Sequence, residues 1–296
     1  MFNALSLIPV IGAIVSFAFA FMLIRAYRER KVTFQLMWGI ALALFGLGFV
    51  GEALGLALGW TQFSAKLYYL FGGILAVGYL SMGTMYLLKP GPAKWIASIS
   101  VIMIMLLWIP IHGIKIFNSN LTVGLIILAV YLVTIIGIFF VSPARSVLFA
   151  LIAVTVLATG ALMSYSVDIN LLTKTESWRE VMTLPLRSGA FALSSAGTFI
   201  IIIGAIYSAV TGWSDKKRRP QINNTIIIAV GVLIAALGGT LHGIFDIGKQ
   251  QLLSLSTTLG ISVMYVGYLR GRRKKYRTLL VKLVSYDFPD LRVFIA

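Results

Sequence analysis

Long apolar runs alternate with short polar connectors along this chain. Nine runs can be drawn, at 4–24, 34–58, 66–88, 94–112, 121–141, 146–165, 187–211, 223–247 and 251–269. A hydrocarbon core of ~30 Å is crossed by roughly 20 helical residues, so each run has about the length of one crossing. Backbone N–H and C=O groups find no water inside a bilayer, and a helix satisfies them within its own segment. The pattern therefore predicts an all-α, polytopic transmembrane bundle of nine spans over residues 1–269, followed by a basic tail at 270–296. Trp38, Trp60, Trp95, Trp108, Trp178 and Trp213 stand at the ends of runs, the expected height of an interfacial aromatic belt.

Composition agrees with a bilayer-filling bundle. Hydrophobic residues make up 59% and charged residues 11%, against roughly 45–50% apolar in soluble domains. The absence of cysteine removes disulfides, thiolate metal sites and cysteine nucleophiles from consideration. Residues 1–24 lack a basic leader and a small-residue cleavage site, so they read as a retained first span.

The net charge of +16 is unevenly placed. One set of connectors holds Arg25, Arg28, Arg30, Lys31, Lys89, Lys94, Arg145, Lys216, Lys217, Arg218 and Arg219. The tail adds Arg270, Arg272, Arg273, Lys274, Lys275, Arg277, Lys282 and Arg292 to the same set. The alternate connectors carry only Lys66, Lys115, Lys174, Arg179, Arg187 and Lys249. Cytoplasmic loops are enriched in Lys and Arg, so the N-terminus is expected outside and the C-terminus in the cytoplasm. The run Arg270, Arg272, Arg273, Lys274, Lys275 and Arg277 is expected to meet anionic lipids or a partner protein. It lacks interleaved stacking aromatics, so no nucleic-acid partner is expected.

Ionisable groups inside a span are costly and therefore informative. Glu52 lies eight residues before Trp60, about 12 Å along the helix at 1.5 Å per residue. His242 and Asp246 are four apart and share a helical face near the outer end of the eighth span. His112 follows Trp108 and Pro110 at the outer end of the fourth. With the predicted orientation all four fall in the outer half. Three readings stand open. The groups are structural; or Glu52, His242 and Asp246 form a substrate or ion site; or His112 and His242 hold haem or a divalent metal. No cofactor is assigned as resident.

Small residues mark where helices meet, because lipid tails compete equally for larger apolar side chains. Gly51, Gly55 and Gly59 recur every four residues and predict a packing strip on the second span. Spans three and seven match at an offset of 121 (Lys66 with Arg187, Gly83 with Gly204, Tyr86 with Tyr207), the pattern of a parallel repeat. The one long outer connector, Val167 to Leu184, carries Trp178 and reads as a short interfacial helix or a lid.

The stretch NNTIIIAVGVLIAALGGTLHG from Asn223, then LGISVMYVGYLRG, resembles the closing spans of uncharacterised prokaryotic polytopic membrane proteins. GEALGLALGW, FSAKLYYLFGGILAVGYLSMGTMYLL and GAIYSA extend the likeness. The resemblance implies a prokaryotic plasma-membrane protein and no particular chemistry. There is no histidine triad, no phosphate-binding glycine loop after a strand, and no mid-span lysine for retinal. The expected function is non-enzymatic: a transporter-like protein or an accessory subunit of a membrane complex. Its expected partners are the bilayer and other membrane subunits.

Overall fold

A computed structural model of the chain describes residues 7–175, 178–213, 219–243 and 250–287; within these, the side chains of 179, 212–225, 239–251 and 272–287 are not described. The described residues are helical, with no strands among them. In chain order the helices are α1 (Leu7–Arg30), α2 (Thr33–Leu58), α3 (Gln62–Leu87) and α4 (Pro90–Ser119). Then come α5 (Leu121–Phe140), α6 (Pro143–Ser164), the short α7 (Ile169–Thr175) and α8 (Trp178–Val181), and the long α9 (Leu184–Trp213), α10 (Arg219–Gly243) and α11 (Gln250–Asp287). Among the described residues, eight helices are long and apolar enough to cross a membrane. Of the predicted eighth span, the described apolar stretch is Ile226–Gly238, within α10. This is an all-helical membrane protein.

Local chemistry sets the helix ends. Pro90 and Pro143 open α4 and α6 at the first helical position, where the missing N–H has no intrahelical partner to lose. Asn120 caps α5 by accepting from the Val123 N–H at 3.1 Å. A reciprocal box between Thr61 and Ser64 starts α3 four residues before the predicted edge. Lys31 ends α1 with φ +54°, and Gly59 ends α2 with φ +91°, a conformation that favours glycine.

Two helices widen midway. Tyr68–Leu75 in α3 and Ile109–Gly113 in α4 are π-helical. The second accommodates Pro110, which cannot donate in an α-helical ladder, so α4 continues past His112 to Ser119. That is where the predicted end of the fourth span fails.

Helices α3 and α9 form the centre. On one side α2, α1, α11 and α10 close a ring with them, each packed on the next; on the other, α4, α5 and α6 pack together and against α3 and α9. The ring is filled by Phe19, Leu23, Trp38, Leu42, Phe45, Phe49, Leu80, Ile201, Ile261 and Met264. Parallel neighbours run in register. Thr258 lies against Gly12 and Tyr265 against Phe19 (centroids 5.1 Å), so α1 and α11 point the same way. Ser194 Oγ donates to the Gly73 carbonyl at 3.2 Å, and Gly204 lies against Thr84, so α9 runs beside α3 in the same direction. Their neighbours do not follow a two-fold pattern: α2 packs along α3, whereas α6 makes only a short contact with α9.

Alternation of direction gathers Arg25, Arg28, Arg30, Lys31, Lys89, Lys94, Arg145 and Arg270 at one end of the bundle. Lys66 and the α7–α8 segment lie at the other. The last helix does not stop at the predicted boundary of 269 but continues unbroken to Asp287, carrying the basic run on a helix. Trp38 (6% exposed) and Trp108 (fully buried) lie inside the protein, not in an interfacial belt. Trp95, at 62% exposed, does face outward.

Candidate functional site

Glu52 lies on α2 in the half of the bundle away from the basic connectors. Helix α2 turns one stripe inward through Trp38, Leu42, Phe45, Phe49 and Glu52, and Glu52 is 1% exposed. The neighbouring stripe lies against α3. A Cβ on Gly48 would sit 2.8 Å from Gly72 Cα, and one on Gly51 would sit 2.6 Å from the Tyr68 nitrogen and 2.8 Å from the Ser64 oxygen. Backbone thus touches backbone where the π-helical stretch begins. Gly55 has another role: its missing side chain makes room for the Trp60 ring. Gly59 has nothing within 4 Å and belongs to the turn.

At the start of α3 the chain folds back over itself. Trp60 and Tyr68 meet edge to face at 5.9 Å. The Trp178 ring enters from the long connector and stacks on Tyr68 at 4.8 Å. It also lies 5.7 Å from Tyr69 and meets Trp60 nearly at right angles at 5.2 Å. Trp178 is only 6% exposed. Offset and edge-on ring pairs each contribute roughly 0.5–1.5 kcal/mol beyond area burial.

Polar bonds tie the same connector down. Gln62 Nε2 donates to the Val167 carbonyl at 2.5 Å, and Gln62 Oε1 accepts from the Val167 N–H at 3.0 Å. Lys66 Nζ donates to the Met163 carbonyl at 3.2 Å, and the Tyr165 hydroxyl donates to the Val181 carbonyl at 2.6 Å. Asp168 starts α7 by accepting from the Leu171 N–H at 3.0 Å. Leu162, Val167, Leu172, Val181, Met182 and Leu186 fill the space between this cap and α3. The connector therefore closes the end of the bundle above α3, where the sequence left a surface helix and a lid as alternatives.

The remaining candidates lie elsewhere. His112 sits in the π-helical turn of α4, its ring 5.3 Å from Phe191 of α9 and nearly perpendicular to it. Helix α4 packs on α9, α5 and α6, whereas α2 packs on α1 and α3, so His112 and Glu52 belong to opposite sides of the central pair. His242 is on α10, which packs on α9 and α11; its side chain and all of Asp246 lie outside the described residues, as do the side chains of Arg272, Arg273, Lys274, Lys275 and Arg277. Among the described residues no three His, Cys, Asp or Glu side chains group as a metal site.

The sequence marks Glu52 as an acid at bilayer depth and Gly51 as a packing position; the structure buries the first and sets the second against α3, and the aromatic cap was not foreseen. Tyr68 and Tyr69 sit in a span that reads as ordinary membrane helix, and Gln62 in the short connector before it. Only the pairing of a long connector carrying Trp178 with Trp60 and the adjacent tyrosines hinted at it. Comparison with protein-family models, with curated proteins and with solved structures returned no match to this chain.

Proposed function

We propose that this is a non-enzymatic, transporter-like protein of a prokaryotic plasma membrane, crossing it nine times with its N-terminus outside, and that Glu52 is the carboxyl group through which it couples to a proton or cation. The observation that carries the reading is the near-complete burial of Glu52 on the inward-facing stripe of α2, next in the chain to the glycine that touches α3. A carboxyl group at such depth is costly to keep, and functional groups of this kind line ion pathways. Two features beside it support the reading. The π-helical turn at Tyr68–Leu75 is a form of helix that recurs at functional sites. The Trp178 cap closes the end of the bundle over the start of α3, the helix against which Gly51 packs.

The test is proton uptake into liposomes containing the purified protein, driven by an imposed potential and read with an entrapped pH dye. Uptake should be faster than in empty liposomes and should fall to that background in Glu52→Gln. Equal rates in wild type, Glu52→Gln and empty liposomes would remove the coupling role.

One observation favours a second reading, an accessory subunit of a larger membrane complex. Only 17% of the apolar stretch of α5 and of α6 is buried within the protein, against 61% for α3. A partner subunit seated there would appear as a stable stoichiometric species on gentle extraction.

A further inference from the structure

At the basic end of the bundle, three helix ends meet in an exposed cluster that the coupling site does not use. The first turns of α4 bring Lys94 and Trp95, the last turn of α5 brings Phe139 and Phe140, and the first turn of α6 brings Arg145. Lys94 Nζ lies 4.6 Å from the Phe139 ring centroid, and Trp95 meets the same ring at a right angle at 6.4 Å. Trp95 is 62% exposed, Phe139 41% and Phe140 84%, and Arg145 is also exposed. Large aromatics this exposed beside cations are unusual for a water-facing surface and suit the boundary between hydrocarbon and headgroup.

Charge narrows the occupant. From Ala53 to Val167 the chain contains no Asp or Glu, so α3, α4, α5 and α6 offer Lys94 and Arg145 no carboxylate. The Phe139 face holds the Lys94 ammonium by a cation–π contact, which leaves ammonium hydrogens free for an oxygen acceptor. Below the cluster, Ile136, Val133 and Leu132 of α5, together with Phe149 of α6, continue the apolar surface away from the headgroup level. A cationic, aromatic rim above an apolar face matches a molecule with a phosphate head and acyl chains.

We propose that Lys94, Trp95, Phe139, Phe140 and Arg145 form a site for an anionic glycerophospholipid, separate from the basic run on α11. The phosphate meets Lys94 and Arg145, the aromatic rings sit at the glycerol level, and the acyl chains lie along α5 and α6. The inference rests on the membrane reading of the bundle and not on the role of Glu52.

Thermal unfolding of the purified full-length protein in mild detergent tests it, with added phosphatidylglycerol compared against phosphatidylcholine at equal mole fraction. Wild type should melt higher with phosphatidylglycerol, and brominated phosphatidylglycerol should quench part of the tryptophan fluorescence that Trp95→Phe lacks. Two surface cations near the headgroup are worth about a kcal/mol each, so Lys94→Gln with Arg145→Gln should weaken the phosphatidylglycerol preference by roughly tenfold or more. Melting in phosphatidylcholine should stay unchanged, which shows that the double variant folds. Arg272→Gln with Arg273→Gln should keep the preference. Equal response of wild type to both lipids, retention of the preference in the Lys94/Arg145 variant, or its loss only in the Arg272/Arg273 variant would overturn the site. A matching shift from soluble glycerol phosphate would overturn the lipid as its occupant.

Discussion

Replacing Gly51 by alanine probes the contact of α2 with α3 next to Glu52. In an exposed helix interior, Ala is favoured over Gly by about 1 kcal/mol. At Gly51 the new Cβ would lie 2.6 Å from the Tyr68 nitrogen, 2.8 Å from the Ser64 oxygen and 3.1 Å from Tyr68 Cα, while ordinary contact begins at 3.4 Å. All three atoms are backbone, so no side chain can rotate away. Helices α2 and α3 would have to part by roughly 0.8 Å, which also lifts Gly48 from Gly72, and such overpacking costs about 1–3 kcal/mol. The net expectation is a loss of up to about 2 kcal/mol. Gly160 of α6 is the control: nothing lies within 4 Å of its Cβ position, so Gly160→Ala should be neutral or gain up to about 1 kcal/mol. At about 2–4 °C per kcal/mol the two variants should separate by several degrees in tryptophan-monitored melting in detergent. If Gly51→Ala melts at or above Gly160→Ala, α2 and α3 do not approach as described.

Trp178→Ala should open the cap: removing a buried indole costs roughly 3–5 kcal/mol, so amide exchange across Val167 to Val181 should rise while exchange in the α1–α2 core stays slow. Unchanged exchange there would show that the rings do not hold the connector. Ser194→Ala deletes the bond to the Gly73 carbonyl; interhelical bonds in membranes average about 0.6 kcal/mol, so melting should fall by only one or two degrees. A fall of ten degrees would mean that this hydroxyl supports much more of the π-helical turn than one bond.

The apolar runs made most of the helices legible, because run length and backbone satisfaction leave a bilayer segment few alternatives. The ends were less so. Thr61 and Ser64 extend α3 through capping bonds that hydropathy does not register. Pro110 reads as a terminator, yet a π-helical turn absorbs it. Tryptophan misled at Trp38 and Trp108, since a buried indole and an interfacial one have the same local sequence. The glycine strip mixed three physical roles, because a spacing of four does not distinguish contact at Gly51, room for a ring at Gly55 and a positive φ at Gly59. The offset between Lys66 and Arg187 reads as a repeat; the two helices pack side by side, which a repeat does not require, and the surrounding contacts do not repeat. Which helices flank Glu52 depended on long-range packing, and nothing in a single run of sequence encodes it.

Single-cysteine labelling tests the threading of the bundle most directly, since the chain has no cysteine of its own. Lys89→Cys reports the basic end, and Asn118→Cys and Asn170→Cys report the end capped by Trp178; all three positions are exposed. With a membrane-impermeant maleimide on intact cells, Asn118→Cys and Asn170→Cys should label at once, and Lys89→Cys only after the membrane is opened. Labelling of Lys89→Cys from outside, or of all three from one side, would contradict the account.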